Sequence, residues 1–376
     1  MPRQLNIALL GAGFMGKAHS NAYRQVSRFF DNEVVPNMRV VCASTEGSAK
    51  AAAKRLGWAE HSSDWETTIH REDVDLVDIC TPGHLHHPMA VAAAKAGKHV
   101  WCEKPLGNTL AEAEEMLEAV QRTKVSHAIF HNYRFCPAVR LAKNFVASGD
   151  IGEIHHFRAV YLQDWITDPQ FPLVWRLQKK FAGSGSLGDI GSHIVDLARY
   201  LTGPIAKVVG HSKTFISQRP LQDDADRSAS VDVDDATSFL AEFESGAMGV
   251  FEATRFATGR KNFNCFEING SNGSLQFNLE RMNELRYFDA RLPVASQGFR
   301  TILVTDPAHE FAREWWPPGH VIGYEHTFTN LIADGLRAIS EGRLPSPNFE
   351  DGVANQRVID AVQRSTNTGA WVQIIN

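Results

Sequence analysis

The chain is poor in the features that mark membrane, nucleic-acid-binding or disulfide-stapled proteins. Its 376 residues hold five cysteines, Cys42, Cys80, Cys102, Cys136 and Cys265, an odd number, scattered and without a CxxC pair. Neither a disulfide framework nor a thiolate zinc knot fits that usage. The apolar runs fall far short of the ~20 residues that span a bilayer. Met1-Pro2-Arg3-Gln4 leads directly into a strand-like segment, so no signal peptide and a cytoplasmic location are expected. Basic excess is missing too. There are 38 Lys and Arg against 43 Asp and Glu, for a formal charge of −5 and no basic arm, so no nucleic-acid partner is expected. Internal repeats and low-complexity tracts are absent. What remains is a chain 43% hydrophobic and long enough for two domains with separate cores.

The first part alternates short apolar runs with helical periodicity. Leu5–Leu10, Arg39–Ala43, Val74–Cys80 and His99–Cys102 read as buried strands. Helical stretches follow each, the last from Thr109 to Gln121 with Leu110, Ala113, Leu117 and Val120 on one face. Continuous apolar strands separated by helices predict a parallel sheet covered on both sides. After about Ser126 long, often alternating β runs appear (154–163, 206–216, 236–243, 247–256, 263–269, 274–279 and 285–289), with turns such as Glu244-Ser245-Gly246 and Ser271-Asn272-Gly273 between them. They predict an antiparallel or mixed sheet. Helices are expected around 137–147, 190–201, 324–340 and 352–365, and Gln218–Asp235 as an exposed loop. The expected fold class is α/β, a doubly wound domain at 1–127 followed by an α+β domain at 128–376 with a large open sheet.

Gly11-Ala12-Gly13-Phe14-Met15-Gly16 follows the first strand and opens a helix. Gly11 permits a tight turn, Gly13 lets backbone N–H groups approach a pyrophosphate, and Gly16 lets helix and strand pack closely; the helix N-terminus faces the negative charge. The second strand ends in the neutral Ala43-Ser44-Thr45, with Glu46 slightly late for a strand-end carboxylate and Lys50, Lys54 and Arg55 only in the next helix. NAD is the expected cofactor, with Ser44 beside the ribose and NADP left open. Lys104, in Trp101-Cys102-Glu103-Lys104-Pro105-Leu106, closes the fourth strand, at the edge where open parallel sheets bind ligands. A cation there is placed to favour an ionised hydroxyl. Asp189 and His193, four apart in Gly188-Asp189-Ile190-Gly191-Ser192-His193, share a helical face. A histidine with a carboxylate neighbour suits proton acceptance near neutral pH; the alternative is that Asp189 merely caps the helix and His193 is core. Tyr133, Gln163, Trp165, Trp175 and Arg176 are candidates for a substrate wall, with rings for an apolar face and polar groups for hydroxyls; the alternative for each is a place in the core. The His84, His86 and His87 cluster lacks a carboxylate or thiolate to complete a ligand set, and no metal is expected.

Taken together, GAGFMG, TPGHLHH, CEKPLG, HNYRF-PAV and GDIGSHIVD resemble the glucose-fructose oxidoreductase / inositol dehydrogenase / MocA family over essentially the whole chain. The segments 161–165 and 173–179 look closest to its levoglucosan dehydrogenase branch. The resemblance implies a Rossmann domain and an α+β domain whose open sheet forms oligomer contacts, as a dimer or a tetramer. It implies a Lys104–Asp189–His193 site with His193 as acid/base, and a substrate contact at Asp196. It also implies cofactor contacts at Gly11, Gly13, Phe14, Met15, Gly16, Thr81, Pro82, Glu103, Lys104 and Asn132, with His86 near the nicotinamide or ribose. The expected activity is NAD(P)-dependent oxidation of a ring hydroxyl of levoglucosan, an inositol or a related pyranose. The alternatives are a glycosidase using NAD in a transient oxidation and a non-catalytic sugar or dinucleotide sensor.

Overall fold

A computed structural model describes residues 2–375 and divides the chain into two compact units. The first takes everything up to Asn132 together with Gly323–Val353; the second takes Tyr133–Ile322 and the chain from Ala354 onward.

In chain order the first unit contains β1 (Arg3–Leu10), α1 (Phe14–Phe29), β2 (Val34–Cys42), α2 (Glu46–Leu56), β3 (Glu60–Ser62), α3 (Trp65–Ile69), β4 (Leu76–Ile79), α4 (His86–Lys95), β5 (His99–Cys102), α5 (Leu110–Thr123) and β6 (His127–Ile129). The six strands form one parallel sheet in the order β3-β2-β1-β4-β5-β6. Strands β4 and β5 are almost wholly buried, which is why they read as unbroken apolar runs. Thr45 and Thr109 close capping boxes on α2 and α5, satisfying backbone donors that would otherwise be orphaned.

The second unit contains α6 (Pro137–Ala147), β7 (Ile154–Leu162), α7 (Lys179–Ala182), α8 (Ser192–Thr202), β8 (Ile205–Lys213), β9 (Gln218–Pro220), β10 (Ser228–Ser230), β11 (Ala236–Phe243), β12 (Met248–Thr254), β13 (Phe263–Gly270), β14 (Gly273–Asn278), β15 (Glu284–Asp289) and β16 (Arg300–Leu303). Then come α9 (Tyr324–Glu341) of the first unit, α10 (Phe349–Thr368), which begins in the first unit and ends in the second, and β17 (Val372–Gln373). A nine-stranded sheet runs β16-β15-β14-β13-β7-β12-β11-β8-β17, antiparallel except for β7 with β12. Alternation sets one face inward. Phe239, Phe251, Phe157, Phe266 and Phe277 form a row of ring contacts across five strands, with centroids 4.5–5.9 Å apart. Such cross-strand aromatic pairs stabilise a sheet and pin its register.

Two expectations are corrected. A single boundary near residue 127 misses the return of α9 to the first unit. That helix buries Phe328, Leu331, Ile332 and Leu336, and a Cβ at Gly335 would stand 2.8 Å from the Trp101 ring, so the glycine lets the helix ride directly over that side chain. The segment Gln218–Asp235 is not simply an exposed loop. It forms the β9–β10 hairpin, buries Arg219 completely, and adds Val231 and Val233 to a small core with Ile166, Leu173 and Leu177. Its Asp- and Ser-rich composition hides that role.

Candidate active site

In the first unit the glycine turn has the geometry its motif demands. Gly11 sits at φ +100°, and a Cβ there would lie 2.6 Å from the Cys80 carbonyl oxygen. At Gly16 a Cβ would come within 2.1 Å of the Gly11 oxygen, so only glycine allows α1 to start against β1. Gly13 is different: a Cβ there would meet no atom within 4 Å. As N-cap of α1 it offers no side-chain acceptor, and the first turn carries no acidic residue. The helix N-terminus and the open side of Gly13 therefore fit a diphosphate. Phe14 is exposed and stacks on Tyr324, while Met15 is half-buried.

At the end of β2, Ser44 is exposed, Thr45 caps α2, and Glu46 accepts from His61 at 2.8 Å. Thr81 and Pro82, half-buried, form the turn after β4. His86 spans two loops, with Nδ1 2.9 Å from the Pro105 oxygen and Nε2 3.0 Å from the Thr81 oxygen. Burial lowers its pKa, against the pull of those carbonyls. His87 turns to Glu115 at 2.8 Å. Asn132 is buried and donates to Thr327 Oγ1 at 2.8 Å. Lys104 is half-buried just beyond β5, and Glu103 beside it points inward, its Oε2 accepting from the Lys104 backbone N–H at 3.1 Å.

In the second unit Asp189 lies on a π-turn, Leu187–Gly191, that opens directly into α8, whose first turn carries His193. Widened turns of this kind recur at functional sites because they release a residue from the α-helical register. Capping does not fall to Asp189. Asp234 does that work: its carboxylate accepts from Gly185 N (2.7 Å), Leu187 N (2.8 Å) and Ser186 Oγ (2.6 Å). Gly185 is obligatory there, since a Cβ would stand 1.7 Å from the Asp234 backbone carbonyl oxygen. Asp189 instead faces Arg255, a fully buried side chain whose Nη1 is 3.4 Å from Oδ2. The same guanidinium reaches the Arg176 carbonyl at 3.5 Å and lies over the Trp165 ring at 5.3 Å.

His193 is buried with its ring 4.6 Å from that of Tyr133 and 5.9 Å from that of Tyr161. From there a line of hydrogen bonds runs outward. Tyr161 donates to Asn262 Oδ1 at 2.7 Å, so its oxygen accepts from Tyr133 at 2.8 Å. Gln163 Nε2 donates to the same Asn262 oxygen at 2.9 Å, and Trp165 Nε1 donates to Gln163 Oε1 at 3.0 Å. Tyr133, Gln163 and Trp165 are thus joined in one polar chain. Trp175 and Arg176 share a short turn, with the guanidinium 4.4 Å over the indole. Asp196 is engaged elsewhere: buried, it accepts from Arg134 (2.6 and 2.8 Å) and from Asn355 (2.9 Å). That pair ties the Tyr133 segment to α8. Sequence reasoning missed Tyr161, Asp234, Arg255 and Asn262 as parts of this arrangement. Tyr161 and Asn262 carried no spacing signal, and Asp234 was hidden in a stretch taken for loop.

A glycine turn on a parallel sheet, shaped for a diphosphate, marks the class of dinucleotide-binding proteins. Residues 5–131 match the model of an oxidoreductase family with an NAD-binding Rossmann fold, and residues 139–276 match the GFO/IDH/MocA C-terminal domain. The chain belongs to the Gfo/Idh/MocA family of NAD-binding oxidoreductases, which act on sugars and polyols. It is 43% identical to levoglucosan dehydrogenase of Pseudarthrobacter phenanthrenivorans, over 99% of this chain and 98% of that protein. A solved levoglucosan dehydrogenase in complex with NADH and levoglucosan shares 44% identity over 99% of this chain and all of that one, with a TM-score of 0.96. An oxidoreductase domain protein from Kribbella flavida shares 50% identity over the whole of both chains, with a TM-score of 0.97.

Proposed function

We propose that the chain is a dehydrogenase that oxidises a ring hydroxyl of levoglucosan or a closely related pyranose. The observation that carries this reading is the polar chain Tyr133–Tyr161–Asn262–Gln163–Trp165 beside His193, an aromatic and amide surface of the kind that binds the faces and hydroxyls of a sugar ring. The levoglucosan dehydrogenase relative at 43% identity supports the choice of sugar.

In this reading Gly11, Gly13, Phe14, Met15, Gly16, Ser44, Thr81, Pro82, His86 and Asn132 hold the dinucleotide. The nicotinamide, when bound, supplies the hydride acceptor. His193 takes the hydroxyl proton, and Asp189 favours the imidazolium that results. Lys104 stabilises the negative charge that grows on the oxygen as the proton leaves. Arg255 holds Asp189, Trp165 and the Arg176 backbone in one arrangement. Asp196 acts through the Arg134 pair and not by touching substrate. The exposed Leu240, Met248 and Val250 on neighbouring positions of β11 and β12 form the surface through which copies of the chain associate.

The test is formation of reduced nicotinamide by the purified protein with NAD⁺ or NADP⁺ and a panel of levoglucosan, inositols and aldoses. A sustained rise with levoglucosan and NAD⁺ is expected. Bond cleavage of a glycoside without net NADH release, or no turnover despite NADH binding, would overturn the proposal.

A further inference from the structure

The described residues of the first unit contain a buried charge cluster that ends on the Glu103–Lys104 turn. At its centre is His19, on the second turn of α1, completely buried and packed against the rings of Phe130 (4.0 Å) and Phe328 (5.4 Å). Its Nδ1 is 2.8 Å from Asp78 Oδ2 and its Nε2 is 3.0 Å from Glu103 Oε1. Tyr23 donates to the same Asp78 oxygen at 2.8 Å, and the Cys80 sulfur lies 3.2 Å from His19 Nδ1. A neutral imidazole has one N–H and can donate to only one of two carboxylates; the imidazolium donates to both. The remaining Glu103 oxygen, Oε2, accepts the Lys104 backbone N–H.

The groups facing His19 are therefore Asp78 and Cys80 from β4 and the turn after it, Glu103 from the end of β5, and Tyr23 from its own helix. Burial works against a charged His19, but the Asp78 and Glu103 carboxylates outweigh it and raise the pKa to about 9. Burial raises Tyr23 and Cys80 well above their ordinary values, so neither competes as an anion. One fixed cation is shared by two buried carboxylates. Without it Glu103 would face Asp78 unpaired and would have to take a proton or turn away, loosening its hold on the Lys104 backbone.

We propose that His19, as an imidazolium bridging Asp78 and Glu103, is a positioning residue for Lys104. The proposal rests on the role assigned to Lys104 above; it adds that the lysine's backbone is set by a charge relay starting in the first helix. None of the motifs that mark the site includes His19, which stands three residues past Gly16 inside α1.

The experiment compares the full-length His19→Gln, Glu103→Gln, double and Lys104→Met variants. Loss of the relay is expected to speed exchange of the Lys104 amide, read by NMR, by about tenfold, the worth of one hydrogen bond. It is also expected to lower kcat by about tenfold, with NADH affinity unchanged in His19→Gln and the double variant no worse in kcat than either single one. Glu103→Gln keeps the side-chain shape and serves if His19→Gln fails to fold. Nitrogen-15 spectra should show His19 protonated on both nitrogens at neutral pH in the unaltered protein and not in Glu103→Gln. An unchanged Lys104 amide, a neutral His19, or full kcat in a folded His19→Gln variant would overturn the proposal. Full turnover of Lys104→Met would instead remove the lysine's role, while the amide exchange still reports whether the relay exists.

Discussion

The two units hold their candidate functional groups on different materials. The first uses backbone: glycines that no side chain can replace, an uncapped helix end, and loops stapled by His86 and Glu103. The second uses side chains gathered from far apart, Tyr133, Tyr161, Gln163, Asp189, His193, Arg255 and Asn262, on a strand, a π-turn, a helix and loops. A backbone cradle recognises what every dinucleotide has in common. A side-chain surface can be exchanged residue by residue, so it is where sugar preference is expected to reside.

The sharpest way to break that comparison is to injure each part separately. His193→Ala is expected to lower kcat by roughly 10²–10⁴-fold, the usual worth of a placed general base, with NADH affinity intact. Gly13→Ala is expected to do the reverse. Its Cβ meets no protein atom, so folding is unaffected, but it fills the space a diphosphate needs, and NADH affinity falls. Kinetics and NADH titration of the two variants check this. If Gly13→Ala lowers kcat at saturating NAD⁺ and leaves affinity alone, the division of labour is wrong.

A second test concerns the frame beneath the side-chain surface. Arg134 and Asp196 form a buried two-point ion pair in the second unit, completed by Asn355. Arg134→Met would take the guanidinium away from the buried Asp196 carboxylate, at a cost of about 3–5 kcal/mol. The melting temperature of that variant should fall by several degrees. Arg134→Met with Asp196→Leu should recover much of the loss, because paired apolar groups leave no buried charge. If Asp196 touched substrate instead, Asp196→Asn would raise KM sharply at unchanged stability.

Legibility in the sequence followed the same division. The glycine turn and the strand ends were readable because backbone chemistry needs fixed residues at fixed spacing. Strands such as β5, β11 and β13 were readable within a residue or so because burial imposes unbroken runs or strict alternation. The pairing of Asp189 with Arg255, and the convergence of Tyr161 and Asn262, were not readable. These contacts join residues 66 and 101 positions apart through sheet register, and no local pattern encodes them. The return of α9 was hidden for the same reason. Its amphipathic pattern announces a helix but not which core receives it.

The smallest expected effect is the share of the pH dependence of stability that two buried histidines of the first unit contribute with opposite signs. His127 Nδ1 accepts the Phe349 backbone N–H at 3.1 Å, and burial depresses its pKa to about 4 from 6.5. A depressed histidine favours the fold above the unfolded value, so this contribution is present above pH 6.5 and lost as pH falls toward about 4. His19 runs the other way. With its pKa raised to about 9, its contribution is full below 6.5 and lost as pH rises through about 9. Each limb is expected to be worth on the order of 1–3 kcal/mol, giving a stability maximum near neutral or slightly acidic pH. Urea unfolding across the range checks it. His127→Gln should lessen the acid limb alone and His19→Gln the alkaline limb alone, because the two side chains make no hydrogen bond in common. A variant that flattened both limbs would mean the two sites are coupled through the sheet, and that the first unit is a less independent set of contacts than its hydrogen bonds describe.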